Sequence, residues 1–425
     1  MRRMPSCIII AIIVALLAAC SPAPSPQPTP SLDGTLPPES PRSTAAITPA
    51  TPAPTTVTPT VVATQAGHVV VWHGFAPDSV EERAVMDAIA EAGNSLDDVE
   101  IDVRPLPGNE LVNRFEIEAV AGGGADLIFV PGDSLGREAQ AGLLHSLDNL
   151  SEEQLAVYMP VALETMRVNG KLYGLPISLT TVGLYYNRTN VEVPPQTTQQ
   201  LLEAVKNGKK VTLIRSAFHN FGFFGAFGGT LMNEQGVCIA DQGGFAEALA
   251  FLDELKTAGA QFVTNSTEAE ELFRSGQTDM LIDGSWLLTD FQAALGDQLG
   301  VAPLPNGPGG PARALVSTNG VVVNANTEQA ETASLLALGL TSPTAQTSYA
   351  EQPNWIPTSL AVTTDDTRAQ FVTIARTGVA RPQRPELDAF WPAFDRALAE
   401  VLETDVDPVE AVKTACAAMN AANGK

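Results

Sequence analysis

Histidine is scarce in this chain: there are four, widely scattered along 425 residues, too few and too far apart for a zinc site with ordinary ligand spacing. Basic residues are scarce as well, 24 Lys and Arg against 48 Asp and Glu, a formal charge of −24. That balance excludes nucleic acid as a partner, because its phosphates require clustered cations, and disfavours adhesion to anionic lipid. The apolar run at 8–19 has twelve residues, short of the ~20 that span a bilayer. No His-Glu-x-x-His and no phosphate loop with its Lys occurs; Asn306-Gly307-Pro308-Gly309-Gly310 is glycine-rich, but its prolines and missing Lys make it a turn. The expectation is a protein that is not an enzyme and needs no metal or cofactor.

The residues at the N-terminus form an address. Arg2 and Arg3 precede the apolar run, which ends Leu17-Ala18-Ala19 before Cys20, the pattern of a secretory signal over 1–19. With cysteine at that position the segment resembles the lipobox of bacterial lipoproteins, which implies a lipid on Cys20 and a membrane anchor outside the cytoplasm. Residues 20–66 hold twelve of the 32 prolines, three charged residues (Asp33, Glu39, Arg42) and no aromatic ring. Such a segment buries too little apolar surface to offset its ordering entropy and reads as an extended, disordered tether. Of four cysteines, Cys7 leaves with the signal and Cys20 goes to lipid. Cys238 and Cys416 remain, in a compartment where a disulfide persists; a bridge and two separately buried thiols both stay open.

From Gly67 onward, short apolar runs bounded by turn residues alternate with helical spacing. Strands are expected at 68–72, 99–103 and 127–130, with helices at 81–92 and 109–120 between them, a doubly wound α/β pattern. Ligands in such sheets sit beyond the carboxyl ends of the strands. His73, Gly74 and Phe75 after the first strand, and Asp133 and Ser134 after the third, are therefore lip residues by topology. A second α/β set is expected from Val182–Tyr186 through a strand at 279–282. The chain then returns to strand at 315–323 and ends in helices near 387–402 and 408–419.

Five segments, GGGADLIFVPGDSLGREAQAGLLHSL at 122–147, YMPVALETMRVNGKLYGLPISLTTVGLYYN at 158–187, FRSGQTDMLIDGSWLLTDF at 273–291, GVAPLP at 300–305 and RPELDAFWPAFDRALAEVL at 384–402, occur in one order. Together they resemble the maltose/maltodextrin-type branch of the extracellular solute-binding proteins of ABC transporters (family 1). The resemblance implies two doubly wound α/β lobes of the type II periplasmic-binding-protein kind with hinge crossovers near Leu179–Gly183 and Ser317–Gly320. Lobe 1 would take 67–180 and 318–365, lobe 2 would take 181–317 and 366–425. It implies a monomer that closes on a di- or oligosaccharide and delivers it to the transmembrane subunits of a permease.

Sugars present hydroxyls around apolar C–H faces, so a site needs flat rings and a few carboxylates or amides. The resemblance points to Trp286 and Trp391 as stacking platforms and to Asp133 as a hydroxyl acceptor; Asp133 is also placed to cap the helix that follows it. Phe218 and Ser266 stand where the family has tyrosines, and His219 and Asn220 are adjacent polar candidates. Val130 replaces a tryptophan, Ser134 and Asp395 replace arginines, Thr180 replaces a glutamate and Glu110 a lysine. His73, Phe75 and Ala76 replace an Asp-Lys pair, and Trp355 is a candidate to compensate for the ring lost at Val130. A surface carbohydrate-active enzyme, a sensory lipoprotein and a binder of a non-sugar solute are the alternatives; among the last is iron, suggested by Tyr185-Tyr186.

Overall fold

The computed structural model describes residues 67–96 and 98–425; the signal, Cys20 and the tether lie outside the described residues. The chain opens with β1 (Gly67–His73), α1 (Val80–Gly93), β2 (Val99–Pro105), α2 (Gly108–Val120) and β3 (Leu127–Pro131). Local chemistry sets these boundaries. Ser79 Oγ accepts the Glu82 N–H at 3.0 Å while the Glu82 carboxylate accepts the Asp78 N–H at 2.6 Å, satisfying donors at the start of α1 that have no partner in the helix. β1 pairs in parallel with β2 and β3. Val69, Val71, Leu127 and Ile128 are fully buried between helices on both faces.

Short helices follow: α3 (Leu135–Gln140), α4 (Glu152–Leu155) and α5 (Pro160–Glu164). Then comes a hairpin of β4 (Arg167–Val168) and β5 (Lys171–Leu172), whose turn is Asn169-Gly170, both at positive φ (51° and 80°) as a type I′ turn requires. β6 (Gly174–Asn187) is the first departure from expectation. A strand was anticipated only from Val182, because Pro176 and the polar Ser178, Thr180 and Thr181 interrupt the apolar run. In the fold one 14-residue strand continues through them. Pro176, which has no N–H to give, lies opposite Gly320 where the partner strand shifts register.

The chain continues with α6 (Thr198–Lys206), β7 (Val211–Ile214), α7 (Phe221–Ala226), α8 (Phe245–Ala258), β8 (Gln261–Val263), α9 (Ser266–Arg274), β9 (Met280–Gly284), α10 (Leu288–Leu295) and β10 (Leu299–Ala302). The chain returns through β11 (Leu315–Val323), α11 (Ala330–Leu340), α12 (Pro343–Ala350) and β12 (Ile356–Pro357). It ends with α13 (Asp366–Thr377), β13 (Val379–Ala380), α14 (Phe390–Thr404) and α15 (Pro408–Ala422). The helix expected from Leu387 begins at Phe390, after a 3-10 turn at Pro385–Ala389.

The strand path is β2-β1-β3-β11-β6-β9-β7-β8, so one hydrogen-bonded sheet runs through both lobes. β6 pairs with β11 up to Thr181 and with β9 from Val182. One apolar core gathers β1, β3, α1, α2 and α11, and a second gathers β7, α8, α14 and α15. A third, with Met159, Leu179, Tyr185, Phe291 and Phe371, draws residues from both sides of the crossing. Cys238 and Cys416 form a disulfide, Cα–Cα 5.4 Å, tying the loop after α7 to α15. Among the described residues no helix is long and apolar enough to cross a membrane.

Candidate functional site

The carboxyl ends of β3 and β7 and the crossing strands meet at a cavity of about 410 Å³. It is lined by Asp133, Thr180, Phe218, Trp391, Arg381 and Asp395, with Ser216, Ser317 and Asn319 adding hydroxyl and amide groups. Gly132 brings Asp133 to this lip: a Cβ there would lie 2.1 Å from the Thr318 carbonyl oxygen, so only glycine allows β3 to end so close to β11. Asp133 is exposed and does not cap α3; Ser134 occupies that cap, without a side-chain cap bond. The anticipated capping role of Asp133 is therefore corrected, and its carboxylate is left to the cavity.

The aromatic residues come from the segments after β7 and β9 and from the start of α14. Phe218 lies 6.0 Å from Trp286 and 6.0 Å from Trp391, ring centre to ring centre. His219 stands edge-on to Trp286 at 5.8 Å. Its Nε2 is 3.3 Å from Oδ1 of the fully buried Asp283, whose Oδ2 has no hydrogen-bond partner. Trp391 sits half-buried in the first turn of α14 and lines the cavity; Trp286, expected beside it as a platform, follows β9 in a 3-10 turn with its ring over Gly284 and is absent from the cavity wall. Asn220 is buried, its amide donating to the Ile214 and Ser216 carbonyls at 2.7 and 2.8 Å, and serves the backbone after β7.

Three residues mark the limits of the sequence reading. His73, expected on the lip, is 1% exposed. It packs behind Phe75 at 5.6 Å with Nε2 3.7 Å from Glu82 Oε1. Burial lowers its pKa, against the opposing pull of Glu82, so the ring is neutral near pH 7. β1 ends one residue later than expected, so His73 belongs to the covered sheet and Phe75 is left on the lip. Ser266, in the first turn of α9 after the edge strand β8, is absent from the cavity wall. Arg381 was not anticipated: it follows β13, a two-residue crossing strand that pairs in parallel with β11 and is too short for a periodic signal. The guanidinium lies 5.8 Å over the Trp391 ring and has no carboxylate partner among the described residues.

A second cavity, of about 220 Å³, shares Pro131 and Asn319 with the first and adjoins it. Trp355 lines it, 5.8 Å from Phe75 and 4.8 Å from Tyr349, and Val130 lines it too. The paired tyrosines have structural places. Tyr185 is buried and donates its hydroxyl to the Gly284 carbonyl at 2.8 Å, and the Tyr186 ring lies over Gly300, where a Cβ would come within 2.1 Å. Among the described residues no group of three His, Cys, Asp or Glu could hold a metal ion.

No hydrolase nucleophile elbow is expected from the sequence, yet Gly132-Asp133-Ser134-Leu135-Gly136 has its Gly-x-Ser-x-Gly spacing at a strand-to-helix turn. Ser134 is buried and its hydroxyl donates to the Pro131 carbonyl at 3.0 Å, with no histidine as base. One turn on, Glu138 is fully buried with neither carboxylate oxygen hydrogen-bonded. Desolvation pushes its pKa up to about 7, with the nearby Glu116 and Asp133 charges adding to the shift and Ser134 and Arg137 opposing it.

Two α/β lobes on a shared sheet, with polar and aromatic groups from both facing one cleft, define a solute-binding fold rather than a catalytic barrel or hydrolase sheet. The chain belongs to the bacterial extracellular solute-binding proteins, whose family profile matches residues 84–373. It is 25% identical over 375 residues to the galactooligosaccharide-binding protein of Bacillus subtilis, covering 82% of this chain and 87% of that one. It is 28% identical over 253 residues to the maltotriose-binding protein of Pyrococcus abyssi, a match to 56% of this chain and only 54% of that relative. Among solved structures, a cyclo/maltodextrin-binding protein complexed with maltotetraose superposes with a TM-score of 0.74 at 26% identity, over 84% of this chain and 97% of the other. The maltotriose-binding protein of Thermus thermophilus, bound to maltotriose, gives 0.66 at 26% over 84% and 100%.

Proposed function

We propose that this protein is a lipid-anchored receptor of an ABC importer that captures a di- or oligosaccharide between its lobes and hands it to a membrane permease. The observation that carries the reading is the meeting of Asp133 from lobe 1 with Phe218 and Trp391 from lobe 2 around one cavity, with Thr180 and Ser317 from the crossings. Rings offer the apolar faces a pyranose stacks on, and carboxylates, hydroxyls and a guanidinium offer partners for its hydroxyls. Relatives that bind maltotriose, maltodextrin and galactooligosaccharide support a carbohydrate ligand. In this reading Trp286 backs the platform through Phe218, and the lobe division is 67–180 with 318–365 against 181–317 with 366–425.

Contacts from both lobes are complete only in the closed arrangement, so ligand shifts the population toward closure, and the closed form is what the permease recognises. Cys20 and the tether keep capture and delivery at one membrane surface. A thermal-shift screen of the chain against mono-, di- and oligosaccharides, followed by calorimetry, tests the proposal. A rise in melting temperature with saturable binding heat and an unchanged sugar on chromatography supports it. Conversion of the sugar would replace it with the carbohydrate-active enzyme.

A further inference from the structure

The second cavity has a different chemistry from the one that Trp391 lines. Its walls are Phe75, Leu111, Phe129, Val130, Ile177 and Trp355. Phe75 meets Phe129 at 5.6 Å and Trp355 at 5.8 Å, so three rings form one side. Apart from the Trp355 indole N–H, Asn319 at the mouth is the only side chain in the lining that hydrogen-bonds, and it reaches toward Ser178 Oγ at 3.4 Å. No carboxylate, lysine or arginine lines the space. The volume of about 220 Å³ is above the ~150 Å³ of apolar cavities that stay dry and take benzene.

A fully hydroxylated sugar ring placed there would leave most of its hydroxyls without partners, a loss that repeats at every group. An apolar group there would lose nothing and would bury its own surface. We infer that the ligand of this cleft is a glycoside with an apolar substituent, its sugar against Asp133, Arg381 and Trp391 and its aryl or branched-alkyl group in the pocket of Phe75, Phe129 and Trp355. This rests on the carbohydrate reading and narrows it. Pro131 and Asn319 line both cavities, so the two adjoin, and one ligand can reach from the first into the second.

Calorimetric titration of the full chain with methyl and phenyl glycosides of the same sugars, glucose, galactose and maltose in both anomers, tests the inference. For at least one sugar the phenyl glycoside should bind ten times or more tighter than the methyl glycoside. In Trp355→Ala the ratio of the two affinities should fall below about three. Equal affinities for every methyl and phenyl pair that binds would overturn the apolar substituent while leaving a sugar receptor standing. A ratio kept intact in Trp355→Ala would place the aryl group elsewhere and overturn the pocket assignment. Absence of binding by any of these glycosides, or by the oligosaccharides of the wider screen, would instead remove the carbohydrate reading and this inference with it.

Discussion

The guanidinium of Arg381 lies over the indole of Trp391 at 5.8 Å, one from the third crossing and one from the first turn of α14. Neither is fully buried, and both face the cleft where Asp133 and Asp395 supply the acceptors. A cation over an indole gains on the order of 0.5–2 kcal/mol, and here it also fixes the angle at which the ring meets a ligand.

Trp391→Ala should therefore weaken the binding of a sugar ligand by at least tenfold and leave the melting temperature within about 2 °C, since the ring is half-buried and the core beneath it is held by Phe390 and Phe394. Calorimetry and thermal unfolding on one preparation give both numbers. A large loss of stability with unchanged affinity would return Trp391 to the core.

Glu138 makes stability depend on pH. Its pKa is raised to about 7 in the folded chain, so between the unfolded value of 4.5 and about 7 the folded state holds a proton that the unfolded state releases. Stability falls as pH rises through that window and levels off above it, by about 3 kcal/mol for the full shift. In Glu138→Gln this fall should vanish. Urea unfolding of both proteins at pH 4.5, 6 and 8 checks it, and parallel curves would show that Glu138 does not titrate there.

Reduction of Cys238–Cys416, which closes a loop of 178 residues, should destabilise lobe 2 by about 2–5 kcal/mol. Melting with and without dithiothreitol, beside the double Cys→Ser variant, measures it; identical transitions would mean the bridge adds nothing.

Gly132→Ala should lower both stability and affinity, because the new methyl meets the Thr318 carbonyl at 2.1 Å and can be relieved only by moving the lip or β11. A cost above about 2 kcal/mol is expected. A variant with native melting and native affinity would show the lip to be pliant.

The parallel cores were legible because β1 and β3 are short apolar runs between turn residues, and their structural bounds fall within a residue or so of those expected. Asp133, Thr180, Phe218 and Trp391 do come to one cavity. His73 does not, since β1 continues through it and the sheet is covered on both faces, so a residue at that end is buried whichever way it points. Arg381 was invisible because its strand has two residues and its place depends on pairing with Leu315 and Val316, far away in the chain. Position along a carboxyl edge can be read from local pattern, whereas which crossing segment supplies a cation cannot.

β6 carries one last consequence. Its ladder to β11 ends at Thr181 and its ladder to β9 starts at Val182, with no loose residue between them. The joint between the two halves is therefore a paired ribbon and not a loose string. A ligand that closes the cleft as proposed must turn that ribbon, which carries Gly183 and the register break opposite Pro176 along its length.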